Sequence, residues 1–93
     1  HTNEIPEKYE LLQNYPNPFN PLTNIEFSIP KSSHVQLVIY DLQGRLVRTI
    51  VNGELGAGKY NAYWNASSYS SGVYFFRIQA GEFTDVKKMI LVK

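Results

Sequence analysis

The stretch Thr23-Asn-Ile-Glu-Phe-Ser-Ile-Pro-Lys-Ser-Ser-His-Val-Gln-Leu-Val-Ile-Tyr-Asp-Leu-Gln-Gly-Arg45 decides the fold. Ile25, Phe27 and Ile29 alternate with Asn24, Glu26 and Ser28, the period of two that puts one face of a strand in a core. Pro30 to Ser33 turns the chain, and Val35, Leu37 and Ile39 then repeat the pattern. Asp41 to Arg45 reads as a hairpin turn. The Asp41 carboxylate can accept turn N–H groups, and Gly44 can take the positive φ that a three-residue loop with a bulge requires.

Outward from this hairpin the same grammar continues. Leu46 to Val51 is the return strand and Asn52 to Gly58 a glycine-rich loop. Tyr60, Ala62 and Trp64 mark a strand, with Trp64 as the central plug of the core. Ala66 to Gly72 is a serine-rich loop, Val73 to Gln79 a strand, Ala80 to Glu82 a turn, and Phe83 to Val92 the closing strand. In that last strand Met89 and Leu91 face one way, Ile90 and Val92 the other, which predicts a bulge or burial on both faces. Toward the N-terminus, Tyr9 to Gln13 reads as a short first strand. Asn14-Tyr-Pro-Asn-Pro-Phe-Asn-Pro21 is a rigid corner, since proline lacks an N–H and fixes φ, with Tyr15 and Phe19 as its apolar anchors. About seven short strands without a helical period predict an immunoglobulin-like antiparallel β-sandwich over residues 9–93, after a polar linker at 1–8.

Composition narrows the function classes. The chain has 93 residues, enough for one domain with one modest core. Nine basic against eight acidic residues leave a net charge of +1, which offers no strong field for nucleic acid or anionic lipid. No cysteine is present, so there is neither a disulfide nor a thiolate metal site. No apolar run is long enough to span a membrane as a helix. The chain opens at His1 with no signal-peptide pattern, and we read it as a piece of a longer polypeptide.

The catalytic motifs fail on inspection. Gly53-Glu-Leu-Gly-Ala-Gly-Lys59 fits the spacing of a phosphate-binding loop. Tyr60 replaces the magnesium-binding hydroxyl, and a strand pattern follows where a helix must start; we read it as a hairpin loop. His34, a loop serine and Asp41 do not converge by strand parity. Two distant histidines exclude a zinc cluster. Asn17, Asn20 and Asp41 could offer oxygens to calcium only if the corner folds near the hairpin, and Asn in such loops ordinarily satisfies its own backbone. No metal or cofactor is expected. Tyr63, Phe75 and Tyr40 fall on outward parities, where rings serve an interface or stack on sugars. Asn65-Ala66-Ser67 matches a glycosylation acceptor. Lys87-Lys88-Met89-Ile90-Leu91-Val92-Lys93 ends the chain on a charged apolar strand, either an edge guarded by lysines or a signal read by strand addition.

Taken in order, the corner Asn14–Pro21, Thr23–Pro30, Val38–Arg45, Trp64, Ser71-Gly-Val-Tyr-Phe75 and Lys88–Lys93 resemble the C-terminal sorting domain of proteins exported by the type IX secretion system. The resemblance covers about residues 11 to 93. It implies a non-catalytic export signal of immunoglobulin-like fold. Such a signal directs a cargo domain upstream in the same chain through the outer membrane to the cell surface or medium. The implied partners are the outer-membrane translocation machinery and a sortase-like peptidase that removes the domain, with the cargo then attached to surface lipopolysaccharide. Matched residue by residue, Gly72 and Tyr74 correspond to the Gly-x-Tyr element. Lys88, Met89, Ile90, Leu91, Val92 and Lys93 correspond to the terminal recognition element, and Asn17, Pro18, Phe19, Asn20 and Pro21 to the proline-rich element. The alternative is a carbohydrate-binding module stacking sugars on Tyr63 and Phe75, or a spacer packed on its parent enzyme.

Overall fold

The computed structural model describes residues 5–93; the first four residues of the expected linker lie outside the described residues. Seven strands follow one another: β1 (Glu10–Leu11), β2 (Leu22–Ile29), β3 (Ser33–Asp41), β4 (Leu46–Leu55), β5 (Gly58–Asn65), β6 (Gly72–Ala80) and β7 (Phe83–Leu91). They form two antiparallel sheets, one ordered β1-β2-β5 and the other β4-β3-β6-β7. The all-β sandwich is the architecture that the period of two predicts.

The inward faces meet where the alternation places them. Ile25, Phe27, Ile29, Val35, Leu37, Ile39, Phe76 and Ile78 are buried. Trp64 is the plug expected of it. It is 1% exposed, and its ring lies 5.7 Å from Phe19, 5.4 Å from Tyr69 and 5.4 Å from Tyr74. This cluster joins the corner, the serine-rich loop and both sheets. Tyr9 closes another opening by stacking on Phe83 at 5.3 Å.

The Asp41–Arg45 hairpin forms as read. Gly44 has φ +84°, and the Asp41 carboxylate accepts the N–H groups of Gln43 and Arg45 at 3.0 and 2.9 Å. The Arg45 backbone N–H is the largest of the influences holding this carboxyl below its ordinary value, and the Arg45 guanidinium at 2.9 Å adds to it.

Three expectations are corrected. Asn52 to Gly58 is not a hairpin loop. β4 continues through Leu55, because Asn52, Gly53 and Glu54 still find partners in Gln36, Val35 and His34. The chain then crosses at Gly56 and Ala57 from the four-stranded to the three-stranded sheet. Of the two readings of the closing strand the bulge is absent, since β6 and β7 pair without a break from Gly72↔Leu91 to Ala80↔Phe83; on the outer face Ile90 is half-buried and Val92 exposed. The irregularities fall in β4, where Ile50 and Val47 are the extra residues and both pack against the core. Two-for-one pairing turns successive apolar residues the same way. Finally, Tyr15 does not anchor the corner: it is 81% exposed, while Phe19 is buried.

Trp64→Ala should cost about 3–5 kcal/mol in urea unfolding, whereas Tyr63→Ala, at an exposed position, should stay within about 0.5 kcal/mol. Asp41 has a lowered folded pKa, so its contribution is present above the ordinary value of 3.8 and is lost as the pH falls through the folded value. The gap in melting temperature between wild type and Asp41→Asn should therefore close in acid.

Candidate functional site

The corner and the terminal strand, separate in sequence, form one assembly. Buried amide chemistry builds the corner. Asn14, 2% exposed, donates through Nδ2 to the Pro16 carbonyl at 3.1 Å and to Thr23 Oγ1 at 2.9 Å, and the Thr23 hydroxyl donates to the same carbonyl at 2.9 Å. Prolines cannot supply N–H donors of their own, so side chains satisfy the backbone here. Tyr15 pairs with Asn24 of β2 through both backbone bonds.

The corner then closes the outer edge of β7. Gln13 Nε2 donates to the Lys88 carbonyl at 2.7 Å. Asn17 Oδ1 accepts the Ile90 N–H at 2.9 Å. The Phe19 N–H donates to the Ile90 carbonyl at 2.9 Å, and the Phe19 carbonyl accepts the Val92 N–H at 3.0 Å. Phe19 and Leu91 thus form a parallel bridge, while the Phe19 ring packs on Trp64. Each such bond contributes about 0.5–1.5 kcal/mol net.

The expected recognition residues divide by side-chain direction. Tyr74, Met89 and Leu91 are buried. Burial raises the Tyr74 pKa above its ordinary value, and its hydroxyl donates to the Ser70 carbonyl at 2.7 Å. Lys88, Val92 and Lys93 are exposed and Ile90 is half-buried. Gly72 opens β6 opposite Leu91. Lys93 is tied to the serine-rich loop, its backbone N–H donating to Ser71 Oγ at 3.0 Å and its ammonium to the Ser67 carbonyl at 2.6 Å. In the corner, Asn17, Pro18 and Asn20 are exposed and Pro21 is half-buried. Gln13, Asn14, Thr23 and Ser71 complete the assembly, although none of them was among the recognition residues expected from the sequence. The density of Asn beside Pro was the one local signal for Asn14; the other three are ordinary polar residues whose partners are remote in the chain.

Other candidate groups stay apart. Asn17 gives its oxygen to Ile90 and Asp41 gives its own to the hairpin turn, so two of the three oxygens of the calcium reading are engaged by backbone. His34 and Asp41 sit at opposite ends of β3, roughly 23 Å apart by strand rise. His34 faces Glu54 and Asn52 instead. Gly53 to Lys59 runs from one strand into the next and no helix follows. Asn65 Oδ1 accepts the Ser67 N–H at 3.0 Å, a local turn. Tyr63 lies on β5 and Phe75 on β6, in different sheets with their side chains on the outer faces, so they cannot form one platform for a sugar. A cleft of about 660 Å³ lies between the Asp41–Val47 segment and Ser68–Tyr74.

Asn17→Ala should loosen the closure without opening the core. The expected loss is about 0.5–1.5 kcal/mol. Amide exchange should quicken at Ile90 and Val92 and remain slow at Met89 and Leu91, measured residue by residue by NMR.

The family model described as the secretion system C-terminal sorting domain matches residues 13–93. That span begins at Gln13, the first corner residue bonded to the terminal strand. No curated protein and no solved structure matches the chain. The chain belongs to the family of C-terminal sorting domains of the type IX secretion system.

Proposed function

We propose that the folded unit made by the corner Asn17–Pro21, Gly72, Tyr74 and Lys88–Lys93 is what the translocation machinery recognises. The family carries a sorting signal for type IX secretion, which implies a cargo N-terminal to it and export across the outer membrane. The observation that supports this particular site is the closure of the β7 edge by residues 13–19, through four hydrogen bonds of 2.7–3.0 Å. A receptor meeting the last residues meets the corner with them. Tyr74, Met89 and Leu91 act from inside, holding the strand in register, while the exposed side chains make contact.

The domain itself is non-catalytic in this reading and serves as an address. One observation supports removal by a sortase-like peptidase after export. Ile5, Glu7 and Lys8 precede β1 and are exposed, and peptidases act on such exposed chain before a folded domain. The released cargo then stays at the surface or in the medium.

The direct experiment appends residues 9–93 to the C-terminus of a periplasm-competent reporter in a bacterium with the type IX system. Surface exposure is read by protease accessibility on intact cells. The reporter should reach the surface with the domain and remain periplasmic without it. Periplasmic retention of the intact fusion would sink the reading. Removing Lys88–Lys93 should also retain the reporter, but this deletion takes Met89 and Leu91 from the core, so a melting curve must accompany it.

A further inference from the structure

We propose that the machinery reads the terminal strand through its face and not through its edge. The surface it uses is the outer face of the four-stranded sheet, and the partner is a protein surface that sets carboxylates beside apolar side chains. This rests on the sorting role of the terminal strand argued above.

The edge of β7 is already taken from Lys88 to the end of the strand. From the Lys88 carbonyl to the Val92 N–H, the outward backbone groups of β7 are bonded to Gln13, Asn17 and Phe19. A receptor strand could add there only by displacing the corner, whose Phe19 ring is buried against Trp64. Strand addition needs unpaired backbone groups, and this stretch offers none.

The face is open and unlike an ordinary solvated one. An antiparallel sheet with one wet side presents polar residues there. Here cross-strand partners put Val73 beside Ile90, and Tyr40, Phe75 and Lys88 in the next row. Arg77 follows, its guanidinium 5.4 Å from the Tyr40 ring centre. Val73, Phe75, Ile90 and Tyr40 are half-buried rather than covered. Aromatic rings and Arg on a flat apolar surface are the composition of a protein interface.

Charge selects the partner. Among the described residues, neither Arg77 nor Lys88 forms an ion pair. The Glu54 carboxylate sits opposite His34, six residues along β3 from Tyr40 and roughly 20 Å away. Two uncompensated cations flanking apolar side chains favour carboxylates opposite. A second copy of this chain fits poorly, because a two-fold contact lays the same patch on itself and sets cation against cation. An anionic membrane gains only about 1 kcal/mol per cation, which two cations do not turn into stable binding.

The test uses the same reporter fusion. Arg77→Glu with Lys88→Glu should cut the surface fraction by about ten-fold or more, while Lys59→Glu on the opposite sheet leaves it unchanged and all melting temperatures stay close to wild type. Should the double reversal unfold, Arg77→Gln with Lys88→Gln removes the charge more gently; reduced display with native melting supports the proposal and unchanged display overturns it. Wild-type display of a folded double reversal, alongside loss on deleting Lys88–Lys93, overturns the face reading and leaves the sorting reading standing. Failure of the intact fusion to reach the surface overturns both. Binding of the chain to phosphatidylglycerol vesicles that the reversal abolishes, or a dimer in sedimentation velocity that the reversal breaks, reassigns the face and overturns the proposal.

Discussion

Phe19 carries the constraint on which the rest depends. Its ring is buried against Trp64 between the sheets. Its backbone N–H and carbonyl close on Ile90 and Val92 at the end of the chain. One residue therefore fixes the corner to the core and the terminal strand to the corner. Without the ring in place the corner has no apolar anchor, since Tyr15 points to solvent. Without the corner, β7 would present a bare edge, the usual hazard of an open sheet.

That arrangement makes the end of the chain rigid. A short C-terminal peptide in water has no fixed conformation to recognise, and a receptor would have to offset its ordering entropy. Here β7 pairs with β6 on one side and with the corner on the other, and Lys93 is tied to Ser71 and Ser67. The last residues are presented already ordered. Strict alternation along β7 then sorts them, with Met89 and Leu91 in the core and Lys88, Ile90 and Val92 outward.

Much of the fold was legible because its signal is local. Ile25, Phe27 and Ile29, or Val35, Leu37 and Ile39, carry their burial in a period of two. Gly44 and Asp41 carry a turn in five residues. Reading failed where a remote partner decided the outcome. Asn52, Gly53 and Glu54 look like loop residues, yet β3 extends far enough to pair them. Val47 and Ile50 break the alternation because β4 bulges twice, and nothing in β4 alone announces a bulge. Ile90 and Val92 pointed to a bulge in β7 or burial on both faces; the strand has no bulge, and Ile90 lies half-buried on an outer face beside Val73.

Most strand positions, the hairpin turn, Trp64 as core and the motifs of the sorting family can be read from the amino-acid order alone. Each depends on residues within one short segment, or on a pattern of types that survives without coordinates. Only the tertiary structure decided that Asn17 and Phe19 bind the outer edge of a strand 73 residues away, that Tyr63 and Phe75 lie in different sheets, and which terminal side chains face outward together. Those outcomes depend on the order of strands across the sheets. Backbone hydrogen bonding sets that order by geometry and leaves little mark on side-chain type.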